Sequence, residues 1–397
     1  MSKEVFIDLG KQPIANKFVS SEEDSDNEYF FDLQAQFDTE TKLVSLVNFV
    51  DPPELFNEDY PYRAGASPAT RDHFQKAARI VDRYLNHDDP KLLEIGSNDG
   101  SFIGCFHSPG MVAVEPCSNF AKETRNNGYE TYNAFWDDGL AETILANNGP
   151  QQAVYSANCM CHIPDVQAAF VAVEKVLDDD GVFIFEDPNA FFMLLRNSYD
   201  QIYDEHAHIF SLIALEKLLA NVDMHIIKVD VMENIHGGSC RIYAAKRNSK
   251  DWTPASAFNG PALLEFEKQH GMDEIEPYIK FGDRVRHSRG LLKDTLCDFK
   301  EQGKKIVSAG ATSKSTVVFN YCDIGPDLIR YITDTTPEKI GKLSPGKHIP
   351  IRDEKEKLND TVDVAFLGAW NFKDKIIERN WGKHYLWVTH VPEVQII

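Results

Sequence analysis

Apolar and polar positions alternate in the first part of the chain. EVFIDL, YFFDLQAQF and KLVSLVNFV change character at almost every step, interrupted by the acidic SSEEDSDNE and followed by DPPE. A period of two puts one face of a strand in a core and the other in water, so residues 1–66 are expected to form a small β-rich module. The period changes near Ser67. Ala77, Ile80, Val81 and Tyr84 recur at helical spacing and run into the polar break NHDDP. From there to Arg247, strand-like and helix-like segments alternate: KLLEIG, MVAVE, SNFAKETRNNG, AVYS, VQAAFVAVEKVL, the turn DDDG and the strand VFIFED. Such alternation specifies a doubly wound, largely parallel sheet. MHIIKVDVM and CRIYAAKR are joined by a short polar link at HGGS, too short for a parallel crossover, so they are expected to pair antiparallel at one sheet edge.

NSKDWTPASAFNGP reads as a linker, and helices are expected around 262–283 and 284–302. From Lys304 the alternation restarts with KKIVSAG, STVVFNYC, LIRYITD, DVAFLG and HYLWVT. The expected class is α/β in three units: a β-rich module at 1–66, a Rossmann-like sheet at 67–247 and a second Rossmann-like unit at 248–397.

Composition narrows the function classes. Apolar residues at 43 % and charged residues at 26 % are the balance of a globular protein, so disordered and fibrous classes are excluded. No stretch approaches the roughly 18 unbroken apolar residues of a membrane span, and MSKEVFIDLG lacks the pattern of a signal peptide, so a cytoplasmic location is expected. A formal charge of −21 repels nucleic-acid backbones and anionic membranes, and neither is an expected partner. Seven scattered cysteines read as reduced thiols. Cys159 and Cys161 have no second pair at finger-like spacing, which favours small buried hydrophobes over a metal site.

Two glycine loops call for opposite ligands. In LLEIGSNDGSFIG, Gly96, Gly100 and Gly104 lie four apart, unlike the GxGxxG of a dinucleotide site, and Asp99 sits inside the loop. A carboxylate repels phosphate, whereas an ammonium and a sulfonium would be attracted by Asp99 and by Glu94 at the strand end. S-adenosylmethionine has both cations and no phosphate. Glu115, ending the next strand, is placed for ribose hydroxyls, Phe135 and Trp136 for adenine, and Asn98 and Asn158 are counted with this site. An ordinary βα turn with solvated acids is the plainer alternative. The second loop, KKIVSAGATSKSTVVFN, has no acid from Ser308 to Ser315; Gly310, Thr312, Ser313 and Lys314 at a helix start suit a phosphate. Asp334 and His348 are candidates for the rest of that ligand, and a structural turn is again the alternative.

The stretch YDQIYDEHAHIF, residues 199–210, concentrates proton-moving groups between apolar flanks. Methylating carbon requires removal of a C–H proton next to a carbonyl, with donors for the developing oxyanion. His206 is the candidate base, Glu205 its orienting carboxylate, Tyr203 a phenol donor, and His162 in NCMCHIPD a competing base or second donor. Hydrogen-bonded core histidines are the bland alternative.

With these motifs in place, the sequence resembles the S-adenosylmethionine-dependent C-methyltransferases of nucleotide-linked keto-deoxysugars. The resemblance runs through LGKQPIANKF, YPYRAGASPATRDHF, LLEIGSNDGSF, NCMCHIPD, YDQIYDEHAHIFS, HGGSCRIYAAKR, GKKIVSAGATSKSTVVFNY and TPEKIGKLSPGKHIPI, nearly the whole chain. It implies three domains, with the sugar nucleotide between the middle and C-terminal ones and Lys314 facing its diphosphate. It also implies that His206 removes the proton alpha to the ketone in a pocket lined by Tyr62, His162, Tyr203 and Glu205. The family's N-terminal domain carries a zinc on paired cysteines. Here no cysteine precedes Cys105, and Asp38 and Thr41 stand where one CxxC is expected, so no zinc is expected. Two rival readings stay open at this level: an O- or N-methyltransferase on the same sheet, and a non-catalytic nucleotide-sugar-binding protein. Nothing in the sequence bears on oligomeric state.

Overall fold

The computed structural model describes residues 2–20, 27–253, 259–355, 361–380 and 385–397. They form three sheets. The first is four-stranded and antiparallel, in the order Lys3–Pro13, Phe30–Asp38, Val44–Leu46 and His208–Ile209. Phe31, Leu33, Ala35 and Phe37 alternate inward along its second strand, as the period of two requires. That face closes on the helix Glu276–Glu301: Phe37 stacks on Tyr278 at 4.7 Å between centroids, and Phe6 meets the same ring at 5.4 Å. Full burial of such an aromatic ring contributes roughly 1.5–3 kcal/mol. The fourth strand comes from the stretch that carries His206, so residues far beyond 66 complete this sheet.

The central sheet has seven strands, ordered Met224–Met232, Ser239–Lys246, Leu177–Pro188, Gln151–Ala157, Leu92–Ile95, Met111–Val114 and Glu130–Tyr132. Its last five strands are parallel, and Ser239–Lys246 is antiparallel to both neighbours, giving the expected edge pair. The chain enters at Leu92–Ile95, winds outward, then crosses back to Gln151–Ala157. That reversal opens a crevice at the carboxyl ends of these two strands, where such sheets bind ligands.

The third sheet is ordered Ile351–Asp353, Ile332–Asp334, Ile306–Ala309, Val364–Leu367, Leu386–Thr389 and Gln395–Ile396, parallel except for the last strand. One continuous buried apolar cluster runs from Phe6 through Val154 and Phe185 to Val388, touching all three sheets. No helix among the described residues is long and apolar enough to cross a membrane.

Two local expectations are corrected. The DDDG stretch is part of the strand Leu177–Pro188 rather than a turn before it, because pairing with Gln151 begins at Leu177 and continues past a register shift. The helices after residue 259 are Gly260–Gln269 and Glu276–Glu301, not 262–283 and 284–302. Gly271, at φ 70°, ends the first, and Pro277 sits in the first turn of the second. Residues 254–258 of the expected linker lie outside the described residues; Trp252, before them, donates from its indole to Asp180 O and packs on Tyr84.

Candidate active site

The strand Leu92–Ile95 ends on Gly96, at φ 75°, where an added Cβ would lie 2.7 Å from Cys159 Sγ. The chain therefore turns close against the end of the neighbouring strand, leaving a cradle that a side chain would fill. Glu115 closes one side. Its Oε2 accepts from Asn98 N at 2.6 Å and its Oε1 from Cys117 N at 2.8 Å, and burial raises its pKa. Asn98 and Asn158, both at positive φ, line the same cavity, as do half-exposed Phe135 and buried Trp136, whose indole donates to Ala169 O.

Two acids and one glycine at the first loop have other occupations than expected. Asp99 does not line the cavity: its Oδ2 accepts from Gly65 N at 2.9 Å and its Oδ1 from the Ser101 hydroxyl at 2.5 Å. With Asn98, which accepts from Ala64 N and donates to Tyr62 O, it staples residues 62–65 onto the turn and so sets the place of Tyr62. Gly100 is packed against Thr124. Glu94 reaches the cavity wall but is buried, its carboxylate accepting from Ile103 N at 3.0 Å, and burial pushes its pKa well up. A cationic cofactor thus meets a more neutral turn than the sequence suggests.

His206 lines the cavity beside a ladder of rings: Phe56 on His162 at 5.4 Å, His162 on His206 at 5.4 Å, and Tyr203 against His206 at 4.1 Å. Its Nδ1 lies 2.7 Å from Gln201 O. A carbonyl only accepts, so Nδ1 carries the hydrogen and Nε2 keeps its lone pair. Burial first, then His162 and Lys314, hold the ring well below its ordinary pKa and therefore uncharged at neutral pH. The expectation that Glu205 orients this ring is corrected. Glu205 Oε1 accepts from Asn16 Nδ2 at 2.6 Å and Oε2 from Tyr60 OH at 2.9 Å, both far earlier in the chain. His162 is pushed down to about 3 by burial, and its buried Nε2 has no partner. Burial, with Glu205 nearby, raises Tyr203 well above its usual value, so that phenol keeps its hydrogen, while Tyr62 stands 41 % exposed at the cavity mouth. Both line the cavity. His208 lies outside it, in the first sheet, where its Nε2 donates to Pro164 O. Cys161, His162 and His206 also bring three possible metal-ligating atoms within 4.8 Å of one another, the imidazole lone pairs being those a proton transfer would use.

The second loop follows Ile306–Ala309 and opens the helix Ser313–Tyr321. Thr312 and Ser315 form a reciprocal cap there, which leaves Gly310, Thr312 and Ser313 on the cavity wall. Lys314 donates to His236 O at 2.9 Å and lies 5.4 Å from the Trp370 ring centre; burial pushes it down to about 8, with Asp200 opposing. Asp334 lines the cavity and accepts from Ala311 N and Thr336 N. His348 is not brought to it. Its ring pairs with Glu28, near Gly346, because the PGK turn faces the first sheet rather than the cleft. The HGGS turn joins the edge strands and packs tightly, since a Cβ on Gly237 or Gly238 would meet Gln201, Trp370 or Phe192 at 2.4–2.8 Å.

Both loops and the imidazoles line one cavity of about 1190 Å³. That exceeds the roughly 300–1,000 Å³ of a single small-molecule pocket. Sequence reasoning missed Lys339, a buried cation on the cavity wall, whose Nζ donates to Ala311 O at 2.8 Å. It also missed Asn16, Tyr60 and Gln201.

Three family models match in order along the chain. "Putative zinc binding domain" covers residues 1–56, "Methyltransferase domain" 69–229, and "C-methyltransferase C-terminal domain" 234–392. The C-methyltransferase NovU of Streptomyces niveus is 29 % identical over 404 residues, spanning 98 % of this chain and 93 % of that protein. Among solved structures, magnesium protoporphyrin IX methyltransferase of Synechocystis PCC 6803 with bound SAM is similar over 45 % of this chain and 78 % of its own, at 12 % identity and a TM-score of 0.33. An S-adenosylmethionine-dependent methyltransferase of Anabaena variabilis is similar over 46 % and 86 %, at 15 % identity and a TM-score of 0.36. The residues of the first module do not fit zinc: it contains neither cysteine nor histidine, and Asp38 is spent on a turn, accepting from Glu40 N and Thr41 N. Two methyltransferase models thus adjoin along the chain, and it is similar to a C-methyltransferase over almost its full length.

Proposed function

We propose that the protein methylates the carbon alpha to the ketone of a nucleotide-linked keto-deoxysugar. One observation carries the reading: a single cavity is lined by an uncharged imidazole with a free lone pair, a phenol that keeps its hydrogen, a glycine turn closed by the Glu115 carboxylate and a cationic second loop.

His206 Nε2 takes the proton from the carbon beside the ketone. Tyr203, Tyr62 and His162 supply hydrogen-bond donors to the ketone oxygen as the C–H electron pair moves toward it, and burial of Tyr203 keeps its donor strong. The imidazolium formed is relieved by the Tyr203 ring at 4.1 Å and by Gln201 O. When bound, S-adenosylmethionine would supply the methyl as an electrophile to that carbon, the broken S–CH3 pair staying on sulfur so that S-adenosylhomocysteine leaves. Glu115 and Asn98 are suited to its ribose and Phe135 to its adenine. Lys314 and Lys339, with Thr312 and Ser313, offer the charge and donors that a diphosphate requires.

The test incubates the protein and S-adenosylmethionine with a panel of 4-keto-6-deoxy sugar nucleotides. Mass spectrometry should find a gain of one methyl, and NMR should place it on carbon next to the ketone. In deuterated water without the cofactor, that carbon should take up solvent deuterium. A methyl on oxygen or nitrogen, with no deuterium in the sugar ring, would discard the proposal.

A further inference from the structure

The turn that supports the base is gripped from outside the central sheet. Asp200 is completely buried. Its Oδ2 accepts from Trp370 Nε1 at 2.6 Å and lies 3.5 Å from His390 Nε2. Both partners belong to the third sheet's unit, Trp370 following the strand Val364–Leu367 and His390 following Leu386–Thr389. Tyr199 is held there too, its hydroxyl 3.5 Å from Cys322 Sγ and its ring 5.2 Å from His390. The next carbonyl, that of Gln201, is the one His206 Nδ1 bonds. The Gln201 side chain and Lys314 converge on a single oxygen, His236 O, at 2.6 and 2.9 Å.

Asp200 does not line the cavity, so it touches neither ligand. A buried carboxylate is costly unless it is paired. Burial alone would raise its pKa, yet His390, Lys314 and Trp370 together hold it below the ordinary value, so it stays ionised. An acceptor this deeply buried, one residue before the carbonyl that fixes the imidazole, has a positional use. We infer that Asp200, gripped by Trp370, is the positioning residue of the catalytic base: it locks the turn Tyr199–Gln201, whose last carbonyl sets the tautomer and aim of His206. The C-terminal unit then does more than offer a phosphate loop, since it holds the proton-removing group of the middle unit in register. This inference rests on the role proposed above for His206.

The test uses full-length protein with ¹⁵N-labelled histidine and needs no substrate. Long-range ¹H–¹⁵N correlation, with His206 assigned by its loss in His206→Ala, should show Nδ1–H and a bare Nε2 in the wild type. Trp370→Phe removes the indole donor and keeps a ring; Asp200→Ala removes the acceptor. Either should turn the His206 signals into a tautomer average and lower kcat by about 10- to 100-fold, with KM for S-adenosylmethionine unchanged within about twofold. Asp200→Asn keeps an acceptor and should hold the wild-type tautomer and kcat within about threefold. Trp370→Phe or Asp200→Ala suffices alone if circular dichroism shows that the other misfolds. Wild-type tautomer and turnover in Trp370→Phe, or a loss in Asp200→Asn as deep as in Asp200→Ala, overturns the inference. If no sugar nucleotide is turned over by the wild type, the substrate proposal fails while the ring spectra still decide this one.

Discussion

Lys314 is the most informative residue to titrate. Burial lowers its pKa from the ordinary 10.5 to about 8, only partly offset by Asp200. The group is therefore a cation below about pH 8 and neutral above it, so its attraction for a diphosphate is complete at neutral pH and is lost as the pH rises. With a pKa near 8, roughly one tenth is uncharged at pH 7 and nine tenths at pH 9. A unit charge about 4 Å from a phosphate oxygen in a partly desolvated cleft contributes up to about 4 kcal/mol, so binding through the neutral amine is negligible over this range. The ratio kcat/KM for the sugar nucleotide, which reports the free enzyme, should fall about tenfold between pH 7 and pH 9. KM for S-adenosylmethionine should stay flat. Lys339, also lowered by burial, can steepen the fall. Lys314→Arg keeps a charge that cannot titrate there and should abolish the limb, at some cost in the plateau because the guanidinium is larger. His206 is held well below its usual value, so no acid limb is expected around pH 6.5. A wild-type profile flat to pH 9.5, or an unchanged limb in Lys314→Arg, would refute the reasoning.

His206→Ala should lower methyl transfer by about 10²- to 10⁴-fold while S-adenosylmethionine binding by calorimetry is retained, and deuterium uptake at the substrate carbon should stop. Gly96→Ala places a Cβ 2.7 Å from Cys159 Sγ at φ 75°; calorimetry should show loss of cofactor affinity with the substrate loop unaffected. Glu186 is buried between Arg241, His73 and Tyr155, and although burial opposes it, His73 and Arg241 bring its pKa down to about 2. Its stabilisation is therefore present above the unfolded carboxyl value and lost as pH falls toward 2. Arg241→Met leaves that carboxylate with a weaker partner and should cost about 3–5 kcal/mol by denaturant unfolding at pH 7, less at pH 3.

What the sequence made legible was whatever leaves a local trace. The antiparallel edge pair was readable because HGGS is too short for a crossover, and both glycine loops because each breaks a strand before a polar segment. GMDEIEP also marked the true helix break, at Gly271 and Pro277, but the apolar period running through it concealed the signal. Other features left no trace. Two-residue strands such as His208–Ile209 have no period, so their membership of the first sheet could not be read. The partner of His206 is a backbone carbonyl, which every residue has, whereas Glu205 next door offered a side chain that looked suitable. Glu205 itself is claimed by Asn16 and Tyr60, 189 and 145 residues away. Asp99 was read by its charge as facing the cofactor, but at φ 48° Asn98 turns the loop so that Asp99 meets Gly65 instead.

The missing zinc ligands and the occupied Glu205 have a common explanation. A small module folded around a metal owes its order to that metal, and can then dock as a preformed unit. Here the order comes from burial. The first sheet borrows its fourth strand from His208–Ile209, and closes Phe6 and Phe37 on Tyr278 of the long helix. Between those two attachments, Ala15 N bonds Asp204, and Asn16 and Tyr60 bond Glu205. The contacts that order the module without a metal are therefore among those that hold residues 204–205, just as Trp370 holds Asp200 from the other side. A segment clamped at both ends by separate units keeps its imidazole aimed only while both are docked, so the stability of the first module and the placement of His206 are one structural property and not two.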